Sequence, residues 1–223
     1  MIILPEPNQE DKEKLLEFKN KYYNLYPDYL QEELDEKLLL GFTNSNDNIN
    51  QIYCYLDLVD NSINPYIAFI NILKKHFNLN SNILEVSCGL MPILSKYIKN
   101  EFPNNHLTLL DKYIGFKDFK DECIETIFDE TYDITSYDLI IGYNPCKATE
   151  AIIKNSINNN KDFCIALCGC CFLPEEYTER TPEKWHEYLI NIAKTYGIKY
   201  DITIEYFDEH LKLEYPIIIG KVK

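Results

Sequence analysis

Arginine is almost absent from this sequence. Arg180 is the only arginine among 22 basic residues, and 36 acidic residues leave a formal net charge of −14. A protein that binds a polyanion neutralises phosphates with Lys and Arg side chains, and this chain has few to spare. This excess of acidic residues disfavours binding of a nucleic acid, except through a local basic patch. It favours a small-molecule or protein substrate.

Long apolar runs and a secretory leader are missing too. No uninterrupted apolar segment approaches the roughly 18 residues that a membrane span needs. The first residues, Met-Ile-Ile-Leu-Pro-Glu-Pro, lack the basic start and apolar core of a signal peptide. We therefore expect a cytoplasmic protein with no membrane partner. Its eight cysteines are expected to be reduced thiols, because the cytosol disfavours disulfides.

Glycine is scarce, with seven residues in 223, and this decides how residues 82–92 are interpreted. A short apolar run is followed there by small residues and then by a periodic segment, which predicts strand, turn and helix. The dinucleotide pattern G-x-G-x-x-G fails, since its three positions hold Ser87, Gly89 and Pro92. An NAD-dependent enzyme is therefore disfavoured. Pro92 is expected at the first helical position, where a missing N–H costs little.

From this stretch onward, predicted strands and helices alternate, which indicates an α/β fold with a mostly parallel sheet. The last two strands are joined by a short connection, so they must be antiparallel. The expected strands are Ile83–Val86, Leu107–Asp111, Ile124–Phe128, Tyr137–Gly142, Phe163–Leu167, Ile202–Phe207 and Tyr215–Val222.

The N-terminal residues are predicted to be helical. Helices are expected over Gln9–Lys19 and Pro27–Leu40 and within residues 50–59, and Tyr66–Phe77 forms an amphipathic helix that leads into the first strand. We therefore expect a helical N-terminal extension or cap at residues 1–65 and an α/β domain at residues 66–223.

This order of elements resembles that of the class I S-adenosylmethionine-dependent methyltransferases. Their first motif is an acidic residue followed by alternating glycines, and Glu85 and Gly89 match it, while Ser87 and Met91 replace the other glycines. The resemblance covers residues 66–223. It implies a doubly wound, seven-stranded, Rossmann-like sheet with a C-terminal antiparallel hairpin, and S-adenosylmethionine as cofactor.

The resemblance also implies a cofactor site at the carboxyl ends of the strands, where open α/β sheets bind their ligands. An acid at the position of Asp111 accepts hydrogen bonds from the ribose hydroxyls in that family, and Asp129 is a candidate for the adenine amino group. The expected cofactor-binding residues are Glu85, Ser87, Cys88, Gly89, Asp111, Asp129 and Tyr143.

Asn144-Pro145-Cys146 falls where the family holds the methyl acceptor, so these three residues are the catalytic candidates. Amino-methylating members carry Asn-Pro-Pro and an aromatic residue here, and this chain matches only the first two positions. Cytosine-5 enzymes carry Pro-Cys, whose thiolate attacks the base, and Pro145-Cys146 matches that pair alone. A thiolate needs a lowered pKa, and Lys147 is the only basic neighbour in the sequence.

A second cysteine group, Cys168-Gly-Cys-Cys171, follows the fifth predicted strand, and some tRNA-modifying members of the fold carry a Cys-Cys element there. Because the fourth and fifth strands should be neighbours, we expect Cys146 to lie near Cys168 or Cys170. No metal site is predicted, since only one Cys-x-x-Cys exists; Cys146, Cys168, Cys170 and Cys171 would be its candidate ligands.

The sequence thus predicts an S-adenosylmethionine-dependent methyltransferase whose acceptor is a small molecule or a protein. The alternative is a catalytically inactive protein of the same fold that binds a nucleotide-like ligand or a partner protein. The two replaced glycines and the partial match at Asn144–Cys146 motivate that alternative.

Overall fold

The computed structural model describes residues 7–22, 47–115, 122–211, 213 and 215–223. Among these residues, three helices precede the sheet: α1 (Gln9–Tyr22), α2 (Asp47–Tyr55) and α3 (Pro65–His76). Within these described ranges, no helix combines the length and the apolar character needed to cross a membrane.

A single seven-stranded sheet follows, and it carries the predicted fold. Its order is β3-β2-β1-β4-β5-β7-β6, with β7 antiparallel to both of its neighbours and the other pairs parallel. The strands are β1 (Asn82–Val86), β2 (His106–Asp111), β3 (Glu122–Glu125), β4 (Leu139–Tyr143), β5 (Asp162–Ala166), β6 (Tyr200–Tyr206) and β7 (Pro216–Val222). The connecting helices are α4 (Ile93–Glu101), α5 (Thr149–Asn158) and α6 (Pro182–Tyr196), and short 3-10 turns span Cys146–Ala148 and Glu209–Leu211.

The central strands are apolar at nearly every position because helices cover both faces of the sheet. Ile140 of β4 and Phe163 of β5 lie in the core on the side of α5 and α6. The next residues along these strands, Ile141 and Cys164, lie in the core on the side of α3 and α4. Alternate side chains of each strand therefore enter opposite cores.

The N-terminal helices belong to one of these two cores. Phe18 of α1 and Tyr53 of α2 are buried in the same apolar cluster as Ile83 of β1. Asn64 caps α3 by accepting N–H groups of its first turn, and its amide donates to the Tyr97 hydroxyl of α4 at 2.9 Å. The expected boundary at residue 65 falls at this cap, within a continuous core.

Several predicted boundaries differ from those observed. β3 spans Glu122–Glu125 rather than Ile124–Phe128, because this edge strand is only partly buried and has a weak apolar pattern. Pro92 is the N-cap of α4, one residue before the predicted position. The helix expected within residues 50–59 ends at Tyr55, and Asp57 then adopts a left-handed φ of 57°. The helix predicted over Pro27–Leu40 lies outside the described residues.

Candidate functional site

The order of the strands creates a crevice between the ends of β1 and β4. The chain leaves β1 toward β2 on one side and leaves β4 toward β5 on the other, so the loops after these neighbours diverge. Ligands of open α/β sheets bind at such a switch point, beyond the carboxyl ends of the strands. The segments that reach this crevice are 87–91 after β1, Asp111 at the end of β2 and 144–146 after β4.

The loop after β1 is held in a tight left-handed turn. Ser87 has a φ of 60° and Gly89 a φ of 78°, a conformation that glycine adopts without steric cost. The Ser87 N–H donates to the carbonyl of Leu110 at 2.7 Å. The Gly89 N–H donates to Oδ2 of Asp111 at 3.0 Å. The end of β2 therefore fixes the loop that the sequence predicts to line a cofactor.

Asp111 has acceptor capacity left after these contacts. Its other carboxylate oxygen, Oδ1, accepts the N–H of Tyr113 at 3.2 Å. An ionised carboxylate offers about four lone-pair positions, so the half-buried Asp111 can still accept two hydrogen bonds from a ligand. This is the number that the two hydroxyls of a ribose donate.

Glu85, near the end of β1, is buried. Its side chain is 3% exposed, and the hydroxyl of Ser95 from α4 donates to its carboxylate. Burial raises the pKa of Glu85 to about 7, the negative charge of Asp111 adds to that rise, and the Ser95 hydrogen bond opposes it. Glu85 therefore links β1 to α4 inside the core, and the sequence carried no signal that Ser95 is its partner.

The side chains of two other expected cofactor residues are engaged within the protein. The side chain of Cys88 is buried in the apolar core, which raises the pKa of its thiol. Cys88 therefore contributes only its backbone to the surface of the turn. Asp129 is exposed, and its Oδ1 accepts both the N–H and the hydroxyl of Thr131. The carbonyl of Asp129 accepts the side-chain amide of Asn155 in α5 at 3.2 Å.

Asn144-Pro145-Cys146 forms a sharply bent segment at the end of β4. Asn144 and Cys146 have left-handed φ values of 55° and 49°, which are uncommon outside glycine. The Pro145 ring packs over Gly142, where an added Cβ would lie 2.9 Å from the ring Cγ. The Ser87 hydroxyl lies 3.5 Å from the Pro145 carbonyl, so this segment and the turn after β1 are adjacent. Asn144 is left exposed beside that turn.

Tyr143 contributes to an aromatic wall on the side of α3. Its ring centroid lies 4.7 Å from that of Tyr66 and 5.7 Å from that of Phe69, both from α3, and 6.4 Å from that of Phe207. Burial raises the pKa of the Tyr66 hydroxyl well above its usual value. No sequence pattern predicts Tyr66 at this position, because it precedes the first strand in what reads as an ordinary amphipathic helix.

The expected meeting of the two cysteine segments is confirmed. Sγ of Cys146 lies 3.7 Å from Sγ of Cys168 and 3.7 Å from Sγ of Cys170. The contact between the two thiols lowers the pKa of Cys168 and raises that of Cys146. Cys171 is not one of the three residues whose sulfurs converge.

His186 of α6 anchors the cysteine segment from behind. It is buried, and its Nε2 lies 2.9 Å from the carbonyl oxygen of Cys168. Its ring also makes an edge contact with Tyr215, with centroids 5.5 Å apart. The four histidines showed no ligand spacing in the sequence, so this supporting role could be seen only in the folded chain.

Asp138 lies at the amino ends of the strands, whereas Asp111 lies at their carboxyl ends. The side chain of Asp138 accepts the N–H of Asn82 at 3.0 Å, at the amino end of β1. That contact gives Asp138 a structural role at the start of β1. It also separates this acid from the crevice, which lies at the carboxyl ends of the strands.

No protein-family model matches the sequence. No curated protein matches it either.

Solved structures do share its fold. A methyltransferase from Pyrococcus furiosus aligns with 71% of this chain and 83% of its own length, at 13% identity and a TM-score of 0.50. A chain of a fibrillarin/Nop5p complex aligns with 71% of this chain and 81% of its own, at 10% identity and a TM-score of 0.51. The pyocyanin biosynthetic protein PhzM aligns with 97% of this chain and 74% of its own, at 10% identity and a TM-score of 0.50. Together with the strand order, these likenesses show that the chain has the class I methyltransferase fold.

Proposed function

We propose that this chain is an S-adenosylmethionine-dependent methyltransferase. The observation that carries the proposal is the turn after β1, whose Gly89 N–H is bound by Asp111 at the switch point of the sheet. This arrangement leaves a backbone turn open to close approach and a carboxylate with two acceptor positions. Both features suit a ligand that carries a ribose.

The residues of the crevice fit that cofactor in distinct ways. Asp111 would accept the ribose hydroxyls, and the backbone of Ser87–Gly89 would line the cofactor. Glu85 would support the turn through its buried carboxylate, and Asp129 remains a candidate for the adenine amino group. The cofactor would supply a methyl group bound to a sulfonium sulfur; in-line attack by the acceptor on the methyl carbon would form the new bond as the carbon–sulfur bond breaks, and the neutral thioether would leave. Tyr143 would close the crevice on the side of α3.

The acceptor is proposed to approach from Asn144, Pro145 and Cys146. Asn144 is exposed at the end of β4, so its side-chain amide is free to orient an incoming group. Holding the acceptor and the methyl donor together supplies much of the rate in such a displacement. The net charge of −14 favours a small-molecule or protein acceptor over a nucleic acid.

A cytoplasmic location goes with this proposal. All eight cysteines are free thiols, and several are buried in the cores. Thiols persist in a reducing compartment, where glutathione and thioredoxin oppose disulfide formation. The cytosol also holds the proposed methyl donor.

Calorimetric titration of the purified chain with S-adenosylmethionine and with S-adenosylhomocysteine tests the proposal. We expect saturable binding of both at one site per chain. Adenosine and methionine, added separately as matched controls, should bind far more weakly because each lacks half of the contacts. A folded chain that binds neither cofactor form would overturn the proposal and favour an inactive protein of this fold.

A further inference from the structure

We propose that Cys146, Cys168 and Cys170 bind a zinc-like divalent ion as three thiolate ligands. Their sulfurs all lie within 4.8 Å of one another, and two of the three separations are 3.7 Å. The residues come from two loops at the same edge of the sheet: the segment after β4 supplies Cys146, and the segment after β5 supplies the other two.

The separations fit a shared ion. Two thiolates on one tetrahedral zinc ion, with Zn–S bonds of about 2.3 Å, lie about 3.8 Å apart. A disulfide would bring its two sulfurs to about 2.0 Å and would leave the third cysteine unpaired. Thiolate ligands select zinc and other soft ions, whereas magnesium and calcium prefer oxygen ligands.

The surrounding structure holds these ligands in place. Cys146 has a left-handed φ, and its carbonyl accepts the hydroxyl of Thr149 at 2.7 Å. The carbonyl of Cys168 is bound by the buried His186 at 2.9 Å. Contacts of this kind orient the ligands of metal sites and are themselves needed for affinity.

Three protein ligands leave the fourth position of a tetrahedral ion to water or to an incoming ligand, as in catalytic zinc sites. Cys146 and Cys170 are only half-buried, so the cluster is open to solvent on one side. Cys146 follows the exposed Asn144 by two residues, so the cluster adjoins the mouth of the crevice. The ion-binding step requires no methyl donor, so it stands or falls independently of the proposed function.

Metal content is the first test. The whole chain, purified under reducing conditions without chelator, is expected to carry about one zinc ion. After removal of the metal, addition of Co²⁺ should produce thiolate-to-cobalt charge-transfer bands together with the visible bands of a tetrahedral ion. Fully reduced protein that binds neither Zn²⁺ nor Co²⁺ would overturn the proposal and leave the three thiols as packing.

Single substitutions then identify the ligands. Cys146→Ser, Cys168→Ser and Cys170→Ser should each weaken Co²⁺ binding by at least about tenfold, the lower limit seen when even an indirect support of a ligand is lost. Cys171→Ser is the matched control, because Cys171 adjoins Cys170 and is equally half-buried but stands outside the triad. Equal losses in Cys170→Ser and Cys171→Ser would contradict the assignment.

Two measurements keep these variants interpretable. Circular dichroism and thermal unfolding show whether each variant is folded, and replacing the half-buried Cys146 or Cys170 disturbs packing less than replacing the buried Cys168. Titration of free thiols in denaturant counts the cysteines that are oxidised. Fewer than eight thiols in freshly purified protein, together with an absence of metal, would contradict the metal site and indicate a disulfide.

Discussion

Glu85 is the carboxylate whose ionisation depends most clearly on the fold. Its pKa rises from 4.5 to about 7, mainly because burial penalises the charged form. Between these pH values the unfolded chain releases the proton while the folded chain retains it, so the free energy of unfolding falls as the pH rises. Above about pH 7 both states are ionised, and the loss is complete. It amounts to about 3 kcal/mol for a shift of this size.

The substitution Glu85→Gln should remove this pH dependence. The neutral amide keeps a hydrogen-bond partner for Ser95 but carries no charge to bury. We expect the variant to gain stability over the wild type as the pH rises from 4.5 to 7, by up to about 3 kcal/mol. Denaturant unfolding at a series of pH values measures this. Glu176→Gln, on the exposed surface, is the control; pH curves of wild type and Glu85→Gln that run parallel would contradict the prediction.

Asp111→Ala should weaken S-adenosylmethionine binding by about tenfold to a hundredfold. Hydrogen bonds to a charged group contribute roughly 1.5–3 kcal/mol, which corresponds to that loss in affinity. The variant also releases the Gly89 N–H that Asp111 binds. Calorimetric titration measures the change. Asp138→Ala is the control, because Asp138 lies at the amino ends of the strands, opposite the crevice. Unchanged affinity in Asp111→Ala would mean that the cofactor lies elsewhere.

At the scale of elements, the end of β4 depends on the absence of a side chain at Gly142. A Cβ there would lie 2.9 Å from the Pro145 ring and 3.3 Å from Ile152 Cδ1 of α5. The proline ring and the helix are both fixed by packing, so neither can move away without cost. Asn144 and Cys146 flank Pro145, so this contact shapes the side of the crevice where we propose that the acceptor binds.

Gly142→Ala should therefore cost about 1–3 kcal/mol of stability, the usual penalty for overpacking a core. Gly169→Ala is the matched control. An added Cβ at Gly169 meets the hydroxyl end of Tyr215, whose 38% exposed ring can turn toward solvent at the cost of its edge contact with His186, so a smaller loss is expected. Denaturant unfolding of both variants measures the difference. Equal losses would show that Pro145 moves as freely as Tyr215.

At the scale of the whole molecule, the N-terminal helices complete one of the two cores. Phe18 of α1 and Cys54 of α2 are buried against the sheet side of α3 and α4. The Tyr97 hydroxyl of α4 donates to the Cys54 carbonyl at 2.6 Å, and Lys96 pairs with Asp57 at 2.8 Å. These contacts tie residues before the predicted boundary at 65 to the α/β unit after it.

A chain that begins at Asn61 should therefore be less stable than the whole protein. It would expose the apolar surfaces that α1 and α2 cover, so we expect a lower melting temperature, binding of a hydrophobic dye and aggregation. Point substitutions test the same contact without truncation. Phe18→Ala should cost about 3–5 kcal/mol, whereas Leu16→Ala, 56% exposed, should change stability by no more than about 0.5 kcal/mol. A truncated chain as stable as the whole protein would contradict this view.

Much of the fold could be predicted because its signals are local. The apolar run that ends at Ser87–Gly89 specified strand, turn and helix, and the short connection before Pro216 required an antiparallel pair. β3 was misplaced because an edge strand with half its residues exposed leaves little apolar pattern. The position of Asp111 at the end of β2 could be predicted, because it directly follows a buried apolar run.

The sequence by itself thus determined the α/β architecture and the segments that meet at the crevice, because hydrophobic periodicity and connection length act over a few residues. Only the tertiary structure decided what each side chain contacts. Cys146 joins cysteines 22 and 24 residues away, and Glu85 is buried against Ser95 on the next helix. Packing sets burial, charge and ligand geometry, and it brings together residues whose relation no local pattern records.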